Sequence, residues 1–173
     1  TQKVNHWAHR SIKSCDSWWE PETEWHRSWK NKFPVEWQEI VLFDEITDEK
    51  HIADILSEHG LVIEFQHSHI DPNESTAREK FYKNMIWVVD GTRLKRDFPR
   101  LVENYKTNFR QTRQKGIFYI DYPSECFHSK WLNSTVPVIF DFQDDKSSTT
   151  TNEGERKYLW CLLPHVDKMR RAI

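Results

Sequence analysis

The chain has 173 residues, of which 37% are hydrophobic and 30% charged, and this fits one globular domain with a sizeable buried core. No apolar run is long enough to span a membrane, and three widely spaced cysteines argue against a disulfide framework, so we expect a cytoplasmic protein. The formal net charge of −2 indicates no general affinity for nucleic acid, although basic residues concentrate between positions 93 and 115.

The first predicted element is a helix within residues 20–34 (EPETEWHRSWKNKFP), with one proline near its start and another at its end. Glu22, His26 and Lys30 recur every four positions, which places three ionisable groups along one helix face. Two tryptophans supply an apolar stripe for packing on a sheet. The ionisable face is either part of a functional site or a solvated surface with i,i+4 pairs, and the helix taken alone favours the solvated surface.

Two strands follow at residues 50–57 (KHIADILS) and 61–66 (LVIEFQ), joined by a short connection that contains a glycine. Because side chains alternate along a strand, Glu64 and Gln66 share one face of otherwise buryable sequence, and such conflicts tend to mark functional sites. Asp54 on the first strand faces Glu64 across the hairpin. Two such carboxylates can hold a hard cation such as Mg²⁺. Edge-strand charges that discourage aggregation are the alternative interpretation.

The order of the remaining elements predicts an α/β fold with a mixed β-sheet flanked by helices. We expect a single domain over residues 1–173, with its core at about 20–142. After the hairpin, the predicted segments are a helix at about 73–83, a strand at 85–90, a basic helix, strands at 116–121 and 136–142, a polar loop at about 144–155 and a C-terminal strand at about 156–163.

The basic helix is predicted to begin near Asp97, which can cap it, with Pro99 in its first turn. Its buried stripe is predicted to consist of Leu101, Val102, Tyr105 and Phe109. The basic side chains then remain on the outer surface, where they could bind DNA phosphates beside an acidic metal site. The candidates for nucleic-acid binding are Arg96, Arg100, Arg110 and Arg113. A solvated basic face is an equally good interpretation.

Nine tryptophans suggest base stacking as a second mode of nucleic-acid contact. Trp18 and Trp19 lie in a segment with too little periodicity to assign them to a core, so we expect these two to be the candidates for DNA contact. The tryptophans in regular apolar patterns are predicted to pack in the core, and these are Trp25, Trp29, Trp87 and Trp160.

In their order along the chain, these motifs resemble those of the competence protein CoiA-like nucleases, a branch of the PD-(D/E)XK restriction-endonuclease-like superfamily. The similar stretches lie between residues 5 and 91 and are specific only in combination. They are NHWAH at 5–9, ETEWHRSWK at 22–30, HIADI at 51–55, VIEFQHS at 62–68, and Arg78 with FYKNMIWVVDG at 81–91.

The resemblance implies a restriction-endonuclease-like core and a role for each site residue. Asp54 and Glu64 correspond to the metal-binding carboxylates, and Glu22 corresponds to the acidic residue of the first core helix. Gln66 occupies the third-motif position, where most of the superfamily has lysine, and a neutral amide can still hydrogen-bond the attacking water. Lys30 and His26 are candidates for the missing positive charge or for proton transfer.

The activity implied by the resemblance is hydrolysis of DNA phosphodiester bonds with Mg²⁺, for which Mn²⁺ is a substitute. The implied setting is uptake, recombination or defence. We expect DNA as the partner, no membrane and no organic cofactor, and a homodimer or larger assembly stays open. Two other classes also stay open: a DNA-binding or assembly module on the same fold that has lost catalysis, and an enzyme for another phosphate substrate. The chain has four glycines and no glycine-rich phosphate loop to support the last class.

Overall fold

The computed structural model describes residues 17–18, 21–143 and 159–164, and these residues form one α/β arrangement. Its helices are α1 (Glu24–Lys30), α2 (Pro72–Tyr82), α3 (Asp97–Asn108) and α4 (Pro123–Cys126), with 3₁₀ helices at Val35–Trp37 and Ser129–Asn133. Its strands are β1 (Gln38–Asp44), β2 (Glu49–Leu56), β3 (Val62–Gln66), β4 (Met85–Asp90), β5 (Phe109–Gln111), β6 (Phe118–Ile120), β7 (Val138–Asp141) and β8 (Trp160–Leu162).

Six of these strands form a mixed sheet in the order β1-β2-β3-β4-β7-β8. Strands β1, β2 and β3 pair antiparallel, β3, β4 and β7 pair parallel, and β8 returns antiparallel to β7. The prediction of an α/β fold with a mixed sheet flanked by helices is therefore confirmed. Within the described ranges, no helix combines the length and apolar composition that crossing a membrane requires.

The central strand β3 contributes to two cores, one on each face of the sheet, and all five of its residues are buried. Ile63 and Phe65 pack with Trp25 and Trp29 on the face covered by α1. Val62 packs in the larger core on the opposite face, together with residues of β4, β7, α2 and α3. The alternation predicted for this strand is thus confirmed, and Glu64 and Gln66 lie within a fully buried strand.

The N-terminal elements differ from the prediction in two ways. Helix α1 begins at Glu24 rather than near residue 20, because Thr23 adopts an extended conformation and its side chain accepts a hydrogen bond from the His26 N–H at 3.2 Å. Strand β1 was not predicted at all. It lies at the sheet edge, where its residues alternate between half-buried and exposed, so its sequence QEIVLFD carries only a weak apolar signal.

The basic helix also differs from its prediction. Asp97 is its first helical residue rather than its cap, and Val102 is 53% exposed rather than part of the buried stripe. The helix ends at Asn108 because Phe109 turns into β5 and packs on Phe118, at 5.8 Å between ring centroids. Strand β6 pairs with β5 in a separate two-stranded sheet, not in the main sheet. The predicted polar loop at 144–155 lies outside the described residues, as do residues 156–158 of the predicted C-terminal strand.

Candidate active site

Asp54 and Glu64 meet in a gap between β2 and β3. The backbone pairs of these strands are Ile55↔Ile63 and Leu56↔Val62. Next to these pairs, the Asp54 N–H donates to Glu64 Oε1 at 3.2 Å, and the Phe65 N–H donates to Asp54 Oδ2 at 2.9 Å. Each carboxylate therefore accepts a backbone N–H of the opposite strand, and the two carboxylates lie together as the hairpin pattern predicts.

Helix α1 supplies the positive charge beside Asp54. His26 Nε2 lies 3.0 Å from Asp54 Oδ2, and Lys30 Nζ lies 3.2 Å from Asp54 Oδ1. Burial opposes ionisation of Asp54, but the hydrogen bond and charge of His26 and the charge of Lys30 outweigh it and lower the pKa of Asp54. Asp54 is therefore ionised at neutral pH. The four-residue spacing of His26 and Lys30 allows both side chains to contact Asp54 from one face of α1.

Lys30 is a buried cation with an exposed fraction of 6%. Its Nζ donates to Glu22 Oε1 at 2.8 Å and to Glu39 Oε1 at 2.7 Å, in addition to its contact with Asp54. Burial would lower the pKa of Lys30, but the Asp54 charge and the hydrogen bonds that Lys30 donates to both glutamates raise it. Lys30 therefore carries a fixed positive charge, and Glu22 contacts it from just before α1 rather than from the helix.

Glu64 is held from the opposite face of the sheet, where Arg78 of α2 donates from Nη1 to Glu64 Oε2 at 2.8 Å. Arg78 is itself fixed by Glu74 and by the backbone oxygen of Trp18. Burial raises the pKa of Glu64 to about 8, the Asp54 charge adds to this, and the Arg78 charge opposes it. A second positive charge close to Glu64 would therefore relieve an unfavourable ionisation.

Gln66 and His67 lie at the end of β3. Gln66 is 2% exposed, and its Nε2 lies 3.3 Å from Ser68 Oγ. His67 Nδ1 lies 2.7 Å from Asp90 Oδ2, and the other Asp90 oxygen accepts from the Thr92 N–H and hydroxyl. Asp90 thus starts a turn and orients His67. The side chain of Gln66 is directed to the loop that follows β3.

Asp141 fixes the position of α1 on the sheet through contacts that were not predicted. Its Oδ2 accepts from the indole nitrogens of Trp25 at 3.0 Å and Trp29 at 2.8 Å. These two residues alternate along α1 with His26 and Lys30. The same helix is therefore anchored at the end of β7 and presents its ionisable side chains to Asp54.

The four arginines predicted to bind nucleic acid do not lie on one helix. Arg100 is on α3 and pairs with Asp97 at 3.0 Å, and Arg110 is on β5 and pairs with Asp121 at 2.9 Å. Arg96 precedes α3 and Arg113 follows β5, and both are exposed. The prediction of a continuous basic helix is wrong because the helix ends at Asn108.

The first tryptophan predicted to contact DNA, Trp18, is half-buried and packs against the larger core. The Trp18 ring stacks on the His51 ring at 3.2 Å between centroids, and it also contacts Phe81 and Arg78. Trp18 therefore helps to support the Arg78–Glu64 pair. Trp19 lies outside the described residues.

The donor set at the gap fits a hard divalent cation. In the described part of the chain, no group of three or more histidine, cysteine, aspartate or glutamate residues could hold a metal. Two carboxylates are nevertheless sufficient for Mg²⁺, which usually keeps several waters and a substrate phosphate in its shell. Asp54 and Glu64 supply oxygen ligands of the required chemistry, and each accepts a backbone N–H from the opposite strand.

The family comparison covers most of this arrangement. A family model described as the nuclease-like domain of competence protein CoiA matches residues 24–163. Comparisons with curated proteins and with solved structures found no match. The matched segment begins with α1 and extends past β8, so it contains the six-stranded sheet and all the residues of the gap except Glu22. The chain therefore belongs to the family of CoiA nuclease-like domains, for which a competence-related, nuclease-like function is indicated.

Proposed function

We propose that this domain hydrolyses phosphodiester bonds in DNA with Mg²⁺ as its cofactor, in the manner of the PD-(D/E)XK nucleases. The observation that carries the proposal is the pair of carboxylates, Asp54 and Glu64, in the gap between β2 and β3, with the buried Lys30 ammonium 3.2 Å from Asp54. Burying so many charged groups lowers the stability of the fold, and such groups are often found where they take part in catalysis.

Asp54 and Glu64 are the residues that would hold the metal, and Mn²⁺ would substitute for Mg²⁺. When bound, the ion lowers the pKa of a water molecule and neutralises charge on the phosphate. Asp54 is already ionised, because His26 and Lys30 lower its pKa. Glu64, whose pKa burial raises to about 8, gains a partner for its charge when a cation enters the gap.

Lys30 would stabilise the negative charge that develops on the phosphate. Its ammonium remains protonated at neutral pH, since Asp54 and the two glutamates raise its pKa above the ordinary value. A fixed charge of this kind is effective because it needs no reorganisation during the reaction. It would supply from α1 the charge that most of the superfamily supplies from the position of Gln66.

His26 is the candidate for proton transfer, because one of its ring nitrogens is oriented by Asp54 at 3.0 Å. Gln66 has a smaller part in this proposal. Its Nε2 contacts Ser68 in the loop after β3, whereas Lys30 and His26 both contact Asp54. Lys30 and His26 therefore rank above Gln66 as catalytic candidates.

The test is cleavage of supercoiled, linear, single-stranded and branched DNA with Mg²⁺, Mn²⁺ or EDTA. Asp54→Asn and Glu64→Gln preserve side-chain size, and Glu36→Gln is a matched control because Glu36 is exposed on the 3₁₀ helix before β1. We expect metal-dependent cleavage by the natural chain and the control, and its loss in both other variants. Mn²⁺ binding, measured by electron paramagnetic resonance, should weaken in the same two variants. Full cleavage by Asp54→Asn would contradict the proposal.

One observation favours the alternative of a DNA-binding module without catalysis. Both Glu64 oxygens have protein partners, Arg78 Nη1 and the Asp54 N–H, so a metal must compete with Arg78 for the carboxylate. If Arg78 wins, no Mn²⁺ binds and no DNA is cut, while DNA binding persists in the presence of EDTA. The metal-binding measurement therefore separates the two functions.

A further inference from the structure

Glu39 has an unusual backbone conformation directly beside the proposed active site. Its φ of 53° lies in the left-handed region, which non-glycine residues rarely adopt, and it does so near the start of strand β1. In the described strands, the β1–β2 pairs Gln38↔Ile55 and Ile40↔Ala53 lie on either side of it. Glu39 therefore lies across from Asp54, so the residue with the irregular backbone is the neighbour of the proposed catalytic carboxylate.

The contact that Glu39 makes does not offset this strain. Its Oε1 accepts from Lys30 Nζ at 2.7 Å, but the Glu39 side chain is 64% exposed. Ion pairs with an exposed partner add little to stability, because water screens them and ordering the side chain costs entropy. Residues that keep a strained conformation without a gain in stability are concentrated at functional sites. The strain at Glu39 therefore requires a reason other than the stability of the fold.

The start of β1 holds Lys30 at two points. The Gln38 side chain donates from Nε2 to the backbone oxygens of Lys30 and Phe33, both at 3.0 Å, and ties the end of α1 to β1. The next residue, Glu39, then contacts the Lys30 ammonium. Successive residues of an ordinary strand point to opposite faces, so the positive φ at Glu39 is what allows both side chains to reach the same lysine.

The Lys30 ammonium has three N–H donors and three carboxylate neighbours, on Glu22, Glu39 and Asp54. Its direction is therefore fixed by three separate segments of the chain. If one neighbour is removed, the flexible lysine stem can redistribute the ammonium toward the other two. A shift of this kind changes the distance between the charge and a phosphate bound at Asp54.

We propose that Glu39 is a positioning residue, which holds the Lys30 ammonium against Asp54 at the place where the scissile phosphate binds. This inference rests on the proposed nuclease function, and Glu39 acts through Lys30 rather than by touching the substrate. The strained backbone is the structural consequence of bringing a β1 carboxylate to a lysine on α1.

The test compares Glu39→Asn and Glu39→Gln with the Glu36→Gln control. Asparagine tolerates a positive φ but is too short to reach Lys30, whereas glutamine keeps the length and an acceptor oxygen without the charge. The measurements are kcat and KM for Mg²⁺-dependent DNA cleavage, the thermal unfolding midpoint, and the ¹⁵N nuclear magnetic resonance signal of the Lys30 ammonium.

We expect Glu39→Asn to unfold at the temperature of the natural chain or above it, because the strain is relieved. Its kcat should fall by about 10- to 100-fold with KM unchanged, as for a displaced catalytic group. The Lys30 signal should broaden or shift. Glu39→Gln should lose less activity, and Glu36→Gln should lose none.

An unchanged kcat in Glu39→Asn would overturn the inference, and so would an unchanged Lys30 signal. A fall in kcat that only parallels a lower unfolding temperature would also overturn it, because that result indicates a structural role. If the natural chain cuts no DNA, the proposed function fails, and the Lys30 signal alone then decides whether Glu39 positions the ammonium.

Discussion

Replacing Glu64 with glutamine should change stability in a strongly pH-dependent way. Burial, with the Asp54 charge in addition, raises the pKa of Glu64 from its ordinary value of 4.5 to about 8. The folded state therefore favours the protonated acid. Its contribution to stability is fully present below pH 4.5 and is lost as the pH rises through about 8. At about 1.4 kcal/mol for each pKa unit, the full loss is on the order of 5 kcal/mol, of which about 4 kcal/mol falls between pH 4.5 and pH 8.

Glutamine carries no charge at any pH, so Glu64→Gln lacks this loss. Its amide cannot accept from both the Asp54 N–H and Arg78, which adds a constant cost that does not depend on pH. The free energy of unfolding of the variant minus that of the natural chain should therefore rise by about 4 kcal/mol between pH 4.5 and pH 8.

The assay is urea unfolding of both proteins at several pH values, without divalent cations and with EDTA present. The corresponding change in the difference between their thermal midpoints is about 10 °C. Glu36→Gln serves as the control, since the same charge is removed from an exposed side chain. A difference that stays constant with pH, or that falls as the pH rises, would refute the view that the Glu64 charge is destabilising in the metal-free protein.

Three further predictions concern the scaffold and the DNA contact. Glu79→Ala should lower the free energy of unfolding by about 3–5 kcal/mol, because this buried carboxylate accepts hydrogen bonds from four donors. Urea unfolding measures this loss, and a loss below about 1 kcal/mol would contradict the prediction. Asp141→Ala should lower kcat and change the tryptophan fluorescence, because the indole N–H groups of Trp25 and Trp29 lose their acceptor and α1 moves. Unchanged fluorescence would show that contacts other than those with Asp141 hold α1 on the sheet. Replacing the exposed Arg96 and Arg113 with alanine should reduce the slope of log affinity for DNA against log salt concentration by about one for each lost phosphate contact. Lys80→Ala on α2 should leave this slope unchanged, and equal slopes in all variants would place the DNA elsewhere.

The Asp54–Glu64 pair could be predicted because it depends on local features of the sequence. The two strands are neighbours in the chain, and a short connection leaves few registers between them. The period of two then fixes which side chains face the gap. The contact of His26 and Lys30 with Asp54 follows partly from helix spacing, but the docking of α1 on that side of the sheet does not follow from the helix itself.

The residues that the sequence did not reveal act through contacts between distant segments. Asp141 is 112 positions from Trp29, and an aspartate that ends a strand gives no sign of such a partner. Glu39 lies in an edge strand with a weak apolar pattern, and its positive φ has no signature in a residue other than glycine or asparagine. Arg110 was misplaced because helical periodicity continues into Phe109, whereas aromatic packing ends the helix there.

The location of the positive charge explains why Gln66 is a weak argument for lost catalysis. A sequence motif places the superfamily lysine on the same strand as the carboxylate, where a spacing of two residues guarantees proximity. Here a buried cation reaches Asp54 from α1, and its position depends on Glu22, Glu39 and the docking of the helix. In the proposed function, charge near the scissile phosphate would be a property of the fold rather than of one motif position. The absence of lysine from β3 therefore means only that the positive charge does not come from that strand, because Lys30 of α1 places a positive charge beside Asp54.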